Sequence, residues 1–180
     1  MKKTILLLLI YFPLLSQDYK IPPDVIRSLI EADPQPTISL TKDGDLGLVL
    51  NRDGYQSIDE LAKDELRIAG TRLDPVRYTS SRMTYYKSFS LLDTKSGKKI
   101  PIEFPLNGKF SFFQWSPDEE KIAFTNTTDD GVELWIIDIK SKKSKKVSDR
   151  YINDILNSPF QWYNSSDELL VSFRSNMKKP

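Results

Sequence analysis

The sequence predicts a mostly β fold: a partial β-propeller of about two and a half four-stranded blades, with a short N-terminal helix and a small helical insertion in the first blade. Three observations carry this reading. The stretch Trp115-Ser116-Pro117-Asp118-Glu119-Glu120-Lys121-Ile122-Ala123-Phe124, followed by Glu133 to Asp138, reads as three strand-sized pieces joined by two tight turns. A degraded copy returns at Phe160 to Phe173, where Phe160-Gln161-Trp162 repeats Phe113-Gln114-Trp115 letter for letter, 47 residues on. A period of that size marks stacked or radial repeats. Finally, 39% of the residues are hydrophobic and 11% aromatic, and the aromatics fall inside strand-like runs, which favours a packed β-rich core over disorder.

Taken in order, Met1-Lys2-Lys3 is a short basic start, and Ile5 to Leu15 is an apolar run followed by Ser16-Gln17. Eleven residues at about 1.5 Å each cannot cross a hydrocarbon core of roughly 30 Å as a helix. Residues 1–17 therefore read as a secretory signal peptide, although Leu14 stands where a small residue is usual before cleavage; an uncleaved anchor or a buried helix is the alternative. The mature chain is expected in a periplasm or outside the cell, with no membrane association after cleavage.

Residues 18–36 hold a short helix and a linker. Pro22 and Pro23 open the helix, Val25, Ile26, Leu29 and Ile30 share one face, and Asp33-Pro34-Gln35-Pro36 ends it. Residues 37–105 form the first blade. Thr37 to Leu40 and Leu46 to Leu50 flank the turn Lys42-Asp43-Gly44-Asp45, whose Asp-Gly supplies positive φ. An insertion at 56–75 begins with a capping box, Ser57 and Glu60, and its apolar content continues through Leu66, Ile68 and Ala69 in helical style up to Gly70. Tyr85 to Leu92 and Ile100 to Phe104 complete the blade across Asp93-Thr94-Lys95-Ser96-Gly97. Residues 106–149 form the second blade from four strands: Phe110 to Trp115, Ile122 to Thr125, Val132 to Ile139 and Lys145 to Ser148. Residues 150–180 supply two strands of a third, incomplete blade, Pro159 to Trp162 and Glu168 to Phe173. The structural anchors of the repeat are Trp115, Asp118, Trp135 and Trp162; packing between blades is their expected role, ahead of a stacking surface for a sugar or peptide.

Composition narrows the chemistry. The net charge is +1, and −1 once Lys2 and Lys3 leave with a leader, so nothing in the overall charge draws the chain to nucleic acid or an anionic membrane. The sequence has no cysteine and no histidine, so neither a thiolate nucleophile nor a Ser-His-Asp triad can be assembled from it. No catalytic, cofactor-binding or metal-binding residue is expected, and no cofactor.

The remaining motifs have plainer readings. Ser39-Leu40-Thr41-Lys42 fits a Ser-x-x-Lys pattern, and Lys95-Ser96-Gly97 resembles the basic triplet that accompanies it in penicillin-binding enzymes. Ser39 lies in a strand rather than at a helix start, so Lys42 would not sit one turn on from it. Asp43-Gly44-Asp45 and Asp129-Asp130-Gly131 lack the spaced oxygens of a calcium loop and read as turns. Lys140 to Lys146 places five lysines in seven residues on a hairpin tip, where they protect an edge strand rather than bind nucleic acid. Glu119-Glu120 and Asp167-Glu168 sit in turns, where nothing isolates a carboxylate in an apolar pocket. No Gly-x-Ser-x-Gly, dinucleotide or phosphate loop is present.

Taken together, several segments resemble the amino-terminal propeller of the prolyl oligopeptidase family of serine peptidases, in its glutamyl endopeptidase-like branch. They are Ile21-Pro22-Pro23 with Ile26, Leu40-Thr41-Lys42-Asp43-Gly44, Ser57 to Ala62, Glu65 to Pro75, Trp115-Ser116-Pro117-Asp118, Gly131 to Trp135 and Ser158 to Trp162. Glu65 to Pro75, after a Leu-Ala helix, is the most specific of them; Trp-Ser-Pro-Asp is generic to many secreted propellers. The resemblance implies a propeller that caps an α/β-hydrolase domain and restricts its substrates to peptides. No position here matches the Ser, Asp or His of that domain. The expectation is a non-catalytic, amino-terminal portion of a secreted peptidase, cut short before the hydrolase domain, meeting peptide substrates only within a complete enzyme. The rival is a stand-alone secreted interaction module that pairs an open edge strand with another chain; a third reading is an enzyme built on carboxylates or lysine.

Overall fold

Strands dominate because short runs rich in aliphatic, β-branched and aromatic residues are separated by tight turns. The computed structural model describes residues 20–104, 108–156 and 158–175. The expected leader, residues 1–17, lies outside them. The chain divides into Met1–Ala32 and Asp33–Pro180.

In the first unit, helix α1 (Asp24–Glu31) follows directly from Pro23, which needs no N–H at that position. Asp24 in its first turn pairs with Arg27 at 2.9 Å. None of its residues is buried.

The second unit starts with an antiparallel pair, β1 (Thr37–Leu40) and β2 (Leu46–Arg52). One helical turn, α2 (Ile58–Leu61), follows, capped by Ser57, whose hydroxyl accepts the Glu60 N–H. Next comes a separate three-stranded sheet: β3 (Leu66–Ile68), β4 (Thr71–Asp74) and β5 (Thr79–Ser80). The chain then returns through β6 (Tyr86–Asp93) and β7 (Lys98–Ile100), and meanders through β8 (Lys109–Trp115), β9 (Lys121–Thr127), β10 (Val132–Asp138) and β11 (Lys143–Lys146). A last hairpin pairs β12 (Phe160–Trp162) with β13 (Leu169–Val171). The result is mostly β, antiparallel within its sheets, and open.

Two four-stranded units follow one pattern: β1-β2-β6-β7 and β8-β9-β10-β11. They are joined edgewise by a single pair, Tyr86 with Phe110, because β7 occupies β6 only over Leu91–Asp93 and leaves its start free. The core between the units contains Leu48, Leu50, Phe89, Leu91, Phe110, Ile122, Phe124 and Ile137. Phe89 is its aromatic hub, with Phe104, Phe110, Phe113 and Phe124 at centroid distances of 4.5, 5.2, 5.0 and 5.1 Å. A second cluster, Ala123, Val132, Leu134, Ile152 and Phe160, lies between the other face of the second unit and the β12–β13 hairpin.

Strand β8 serves both clusters through a bulge. Its register with β9 shifts between Ser111 and Gln114, and Phe112 has φ 52°. Strict alternation would set Phe110 and Phe112 on one face; the extra residue sends Phe112 to the second cluster and keeps Phe110, Phe113 and Trp115 on the first.

Three local expectations are corrected. Leu66, Ile68 and Ala69 do not extend the helix: Leu66 and Ile68 lie in β3, and Ala69-Gly70 is the two-residue turn into β4, with φ 49° and 85°. Both turn residues take the positive φ that a tight hairpin requires, so the apolar spacing here belongs to a strand of period two. The last strand of the second unit is Lys143–Lys146, earlier than expected, because Lys142 with φ 60° closes the turn. Pairing of β7 stops at Ile100, and Glu103 instead exchanges backbone hydrogen bonds with Lys142 and Ser144, both 3.1 Å.

Candidate functional site

Two constructions stand out: a ladder of equivalent turns, and a buried charged junction around the insertion. The ladder begins where the first two strands of each unit meet. At the β1–β2 turn the Thr41 N–H donates to Leu46 O, the Gly44 N–H to Thr41 O, the Asp45 N–H to Asp43 Oδ1, and the Leu46 N–H to Thr41 Oγ1. The β8–β9 turn repeats all four. Ser116 N–H donates to Lys121 O, Glu119 N–H to Ser116 O, Glu120 N–H to Asp118 Oδ1, and Lys121 N–H to Ser116 Oγ. Gly44 and Glu119 hold the same positive φ, 75° and 61°. The β12–β13 turn keeps two of the bonds, Tyr163 N–H to Glu168 O and Asp167 N–H to Ser165 Oγ, and moves its positive φ to Asn164. Thr41-Lys42-Asp43-Gly44 is thus an earlier copy of the motif; the insertion between the copies displaces it from the 47-residue spacing.

Each turn touches the next. Lys42 donates from its backbone to Glu119 Oε1 and from Nζ to Pro117 O, at 2.9 and 3.0 Å. The Ser166 hydroxyl accepts the Asp118 N–H at 3.2 Å, and Lys121 Nζ reaches Asp167 at 2.6 Å. The tryptophans follow the same rule. Trp115 Nε1 donates to Ser39 Oγ on β1 at 3.0 Å, and Trp162 Nε1 to Gln114 O on β8 at 3.3 Å. Each therefore links the first strand of its own unit to the first strand of the unit before. Trp135 differs, donating within its own unit to Glu133 at 2.9 Å. The Asp118 carboxylate is held down to about 2 by the Ser116 hydroxyl, then by Ser166 and the Glu120 N–H. Ser39 and Lys42, the Ser-x-x-Lys candidates, are spent on these links and are not brought together.

The junction centres on Glu60 and Arg77. Glu60 was legible as a capping-box residue, but its carboxylate is directed away from the helix start. It pairs with Lys63 at 2.7 Å, with Arg77 at 3.2 Å and with Lys109. Burial would raise its pKa, yet the hydrogen bonds and charges of Lys109 and Lys63 hold it down to about 2. Arg77, 4% exposed, also reaches Asp129 at 2.7 Å and Asp74 at 3.6 Å. Sequence reasoning missed Arg77, Lys109 and Asp129 as one cluster, since no local spacing relates them. Close by, burial pushes the Tyr85 hydroxyl up to about 12 and the Asp154 carboxyl up to about 6.

A cleft of about 500 Å³ opens beside this junction, lined by Tyr55, Gln56, Glu60, Met83, Tyr85 and Lys109 among others. Glu60, saturated by cations, is no proton acceptor at neutral pH. A larger groove of about 970 Å³ runs between the outer half of the second unit, at Ile136 and Val147, and the β12–β13 hairpin, at Trp162, Leu169, Val171 and Phe173. Among the described residues no group of three or more acidic side chains is placed to hold a metal ion, and no helix is long and apolar enough to cross a membrane.

Relatives extend this picture. The chain is 31% identical over 168 residues to a protein of Oryza sativa subsp. japonica named as a chloroplastic glutamyl endopeptidase, and 29% identical over 175 residues to one so named from Arabidopsis thaliana. These alignments cover 86% and 90% of this chain but 18% of each relative. The chain corresponds to one segment of this peptidase family. Among solved structures, a Bacteroides ovatus protein described as a dipeptidyl aminopeptidase IV aligns over 67% of this chain and 18% of its own, at 16% identity and a TM-score of 0.39. No family model matches the chain. Within this peptidase-family segment, the Glu65 to Pro75 stretch is the β3–β4 hairpin, and Glu65 fastens it. Its carboxylate pairs with Arg67 at 2.9 Å, with Arg82 at 3.2 Å and with Arg72.

Proposed function

We propose that this chain is a non-catalytic, propeller-type portion of a secreted serine-type peptidase, whose role in the complete enzyme is to restrict access and help bind peptide substrates. The observation that carries this is the alignment itself: nearly the whole chain is similar to a stretch making up less than a fifth of enzymes named for glutamyl endopeptidase activity. The sequence contributes no histidine, so the hydrolytic machinery would belong to another part of the enzyme. The two four-stranded units and the further hairpin, each linked to the one before, support the propeller reading. Export rests on the amino-terminal pattern alone, and the relatives' names place them in chloroplasts.

The test is to assay the purified chain against peptides, esters and glycosides. No turnover is expected. Hydrolysis abolished by replacing one of its own acidic residues or lysines would overturn the proposal. Reading the coding DNA past codon 180 adds a second check: further repeats and a Gly-x-Ser-x-Gly motif in any frame are expected.

A stand-alone interaction module is the second reading, favoured by the outer edge of β13, which has no partner strand among the described residues. It predicts a defined oligomer of the isolated chain in light scattering, abolished by a proline at Val171, whose N–H faces away from β12.

A further inference from the structure

We propose that Asp154 is a protonation-controlled latch between the β3–β5 sheet and the repeat units: the neutral acid holds the insertion docked, and the ionised carboxylate loosens it. Geometry carries the case. Asp154 is 2% exposed, and among the described residues neither carboxyl oxygen has a hydrogen bond of normal geometry, although the Thr79 hydroxyl lies close enough to ease its charge. It sits on a splice. Ile152 bridges both Val132 on β10 and Phe173, and Asn153 N–H donates to Ser172 O at 2.8 Å. Asp154 itself bridges Thr79 on β5, and its N–H donates to Tyr78 O at 3.1 Å. Ser80 Oγ adds a bond to Ile155 O at 3.3 Å. This short segment therefore ties the insertion sheet to the repeats, with an acid sealed inside the tie.

Among the described residues, the two arginines nearest this segment in the chain fold are engaged elsewhere. Arg77, just before Tyr78, is taken by Glu60, Asp129 and Asp74. Arg174 lies 4.1 Å from the Tyr78 ring centre and donates to Val76 O and Asp130 O. Asp74 on β4 and the Tyr85 hydroxyl are the titratable groups on the facing elements, and neither brings positive charge. The Thr79 hydroxyl lies beside the carboxyl and points to Met83 Sδ at 3.8 Å. A carboxylate so placed has lost its hydration without replacement, so the neutral form is favoured. Once protonated, it gains a donor for the Thr79 oxygen.

Burial is the main cause of the raised pKa, Thr79 opposes it in part, and Asp74 adds to it. The sign follows from a folded value of about 6 against 3.8. Docking strength is fully present below the lower value and is lost as pH rises through the upper one.

Hydrogen exchange on the full chain tests this. Protection factors of amides 66–80, relative to those of β8–β10, are measured at pH 5 and pH 8. The wild type should lose roughly tenfold of this relative protection at pH 8, because about half of the span between 3.8 and about 6 is already lost at pH 5; Asp154→Asn should show no loss. A pH-independent ratio in the wild type, or an equal loss in the variant, overturns the proposal. If the variant does not fold, carboxyl carbon-13 titration of wild-type Asp154 decides: a midpoint near 6 sustains the latch, and an ordinary value removes it.

Discussion

Glu60 shows how one side chain can be drawn out of its local role. A capping box asks the third residue to reach back to the cap, but three cations from the insertion and β8 outbid that one N–H. Its pKa near 2 lies below the ordinary 4.5, so its stabilising effect is present above the ordinary value and is lost as pH falls through about 2. Glu60→Gln should therefore flatten the fall in stability between those limits, as followed by urea unfolding at stepped pH; an unchanged acid limb would refute the assignment. Gly131 makes a different point. It stands in a turn, but what requires glycine there is space: a Cβ would sit 2.6 Å from Cγ of Tyr151. Gly131→Ala should cost about 1–3 kcal/mol by overpacking, read from thermal unfolding, and Tyr151→Ala in the same chain should recover part of it.

Among the elements, the turns are the most regular feature. The Ser116 hydroxyl accepts the Lys121 N–H at 2.9 Å and donates to Asp118 at 2.6 Å, as Thr41 serves its own turn. Ser116→Ala should cost about 1–2 kcal/mol in unfolding experiments, whereas Ser116→Thr should be nearly neutral, because threonine already fills the equivalent place. Elements of this kind were legible: β9 and β10 from the apolar stretches Ile122–Phe124 and Leu134–Ile137, the turns from Asp-Gly and Ser-Pro-Asp, the repeat from its two matched tryptophans. The β3–β4 hairpin was not, since three apolar residues in five satisfy either period and only the positive φ at Ala69 decides. Nor was the bulge in β8, whose cause is the demand of two separate cores for aromatic rings. The charged junction was invisible for the same reason: Glu60, Arg77, Lys109 and Asp129 meet only through tertiary pairing.

Across the molecule, packing is uneven. The core between the two four-stranded units is filled by five phenylalanine rings and the aliphatics of β2, β6, β9 and β10. The β12–β13 hairpin contributes two short strands and borders an open groove. Stability in repeat structures is a sum over neighbouring interfaces, so the chain should not unfold as one unit. Hydrogen exchange should release β12–β13 well before β8–β10, and thermal unfolding of residues 18–180 should be broad; a single sharp transition of a monomer would contradict this.

The indole links give the repeat a direction in time as well as in space. Trp115 finds its acceptor on a strand made 76 residues earlier, and Trp162 on one made 48 residues earlier. Neither waits for anything downstream. As the chain leaves the ribosome, each new unit can therefore close onto a finished predecessor, and assembly runs from the first-made end in step with synthesis.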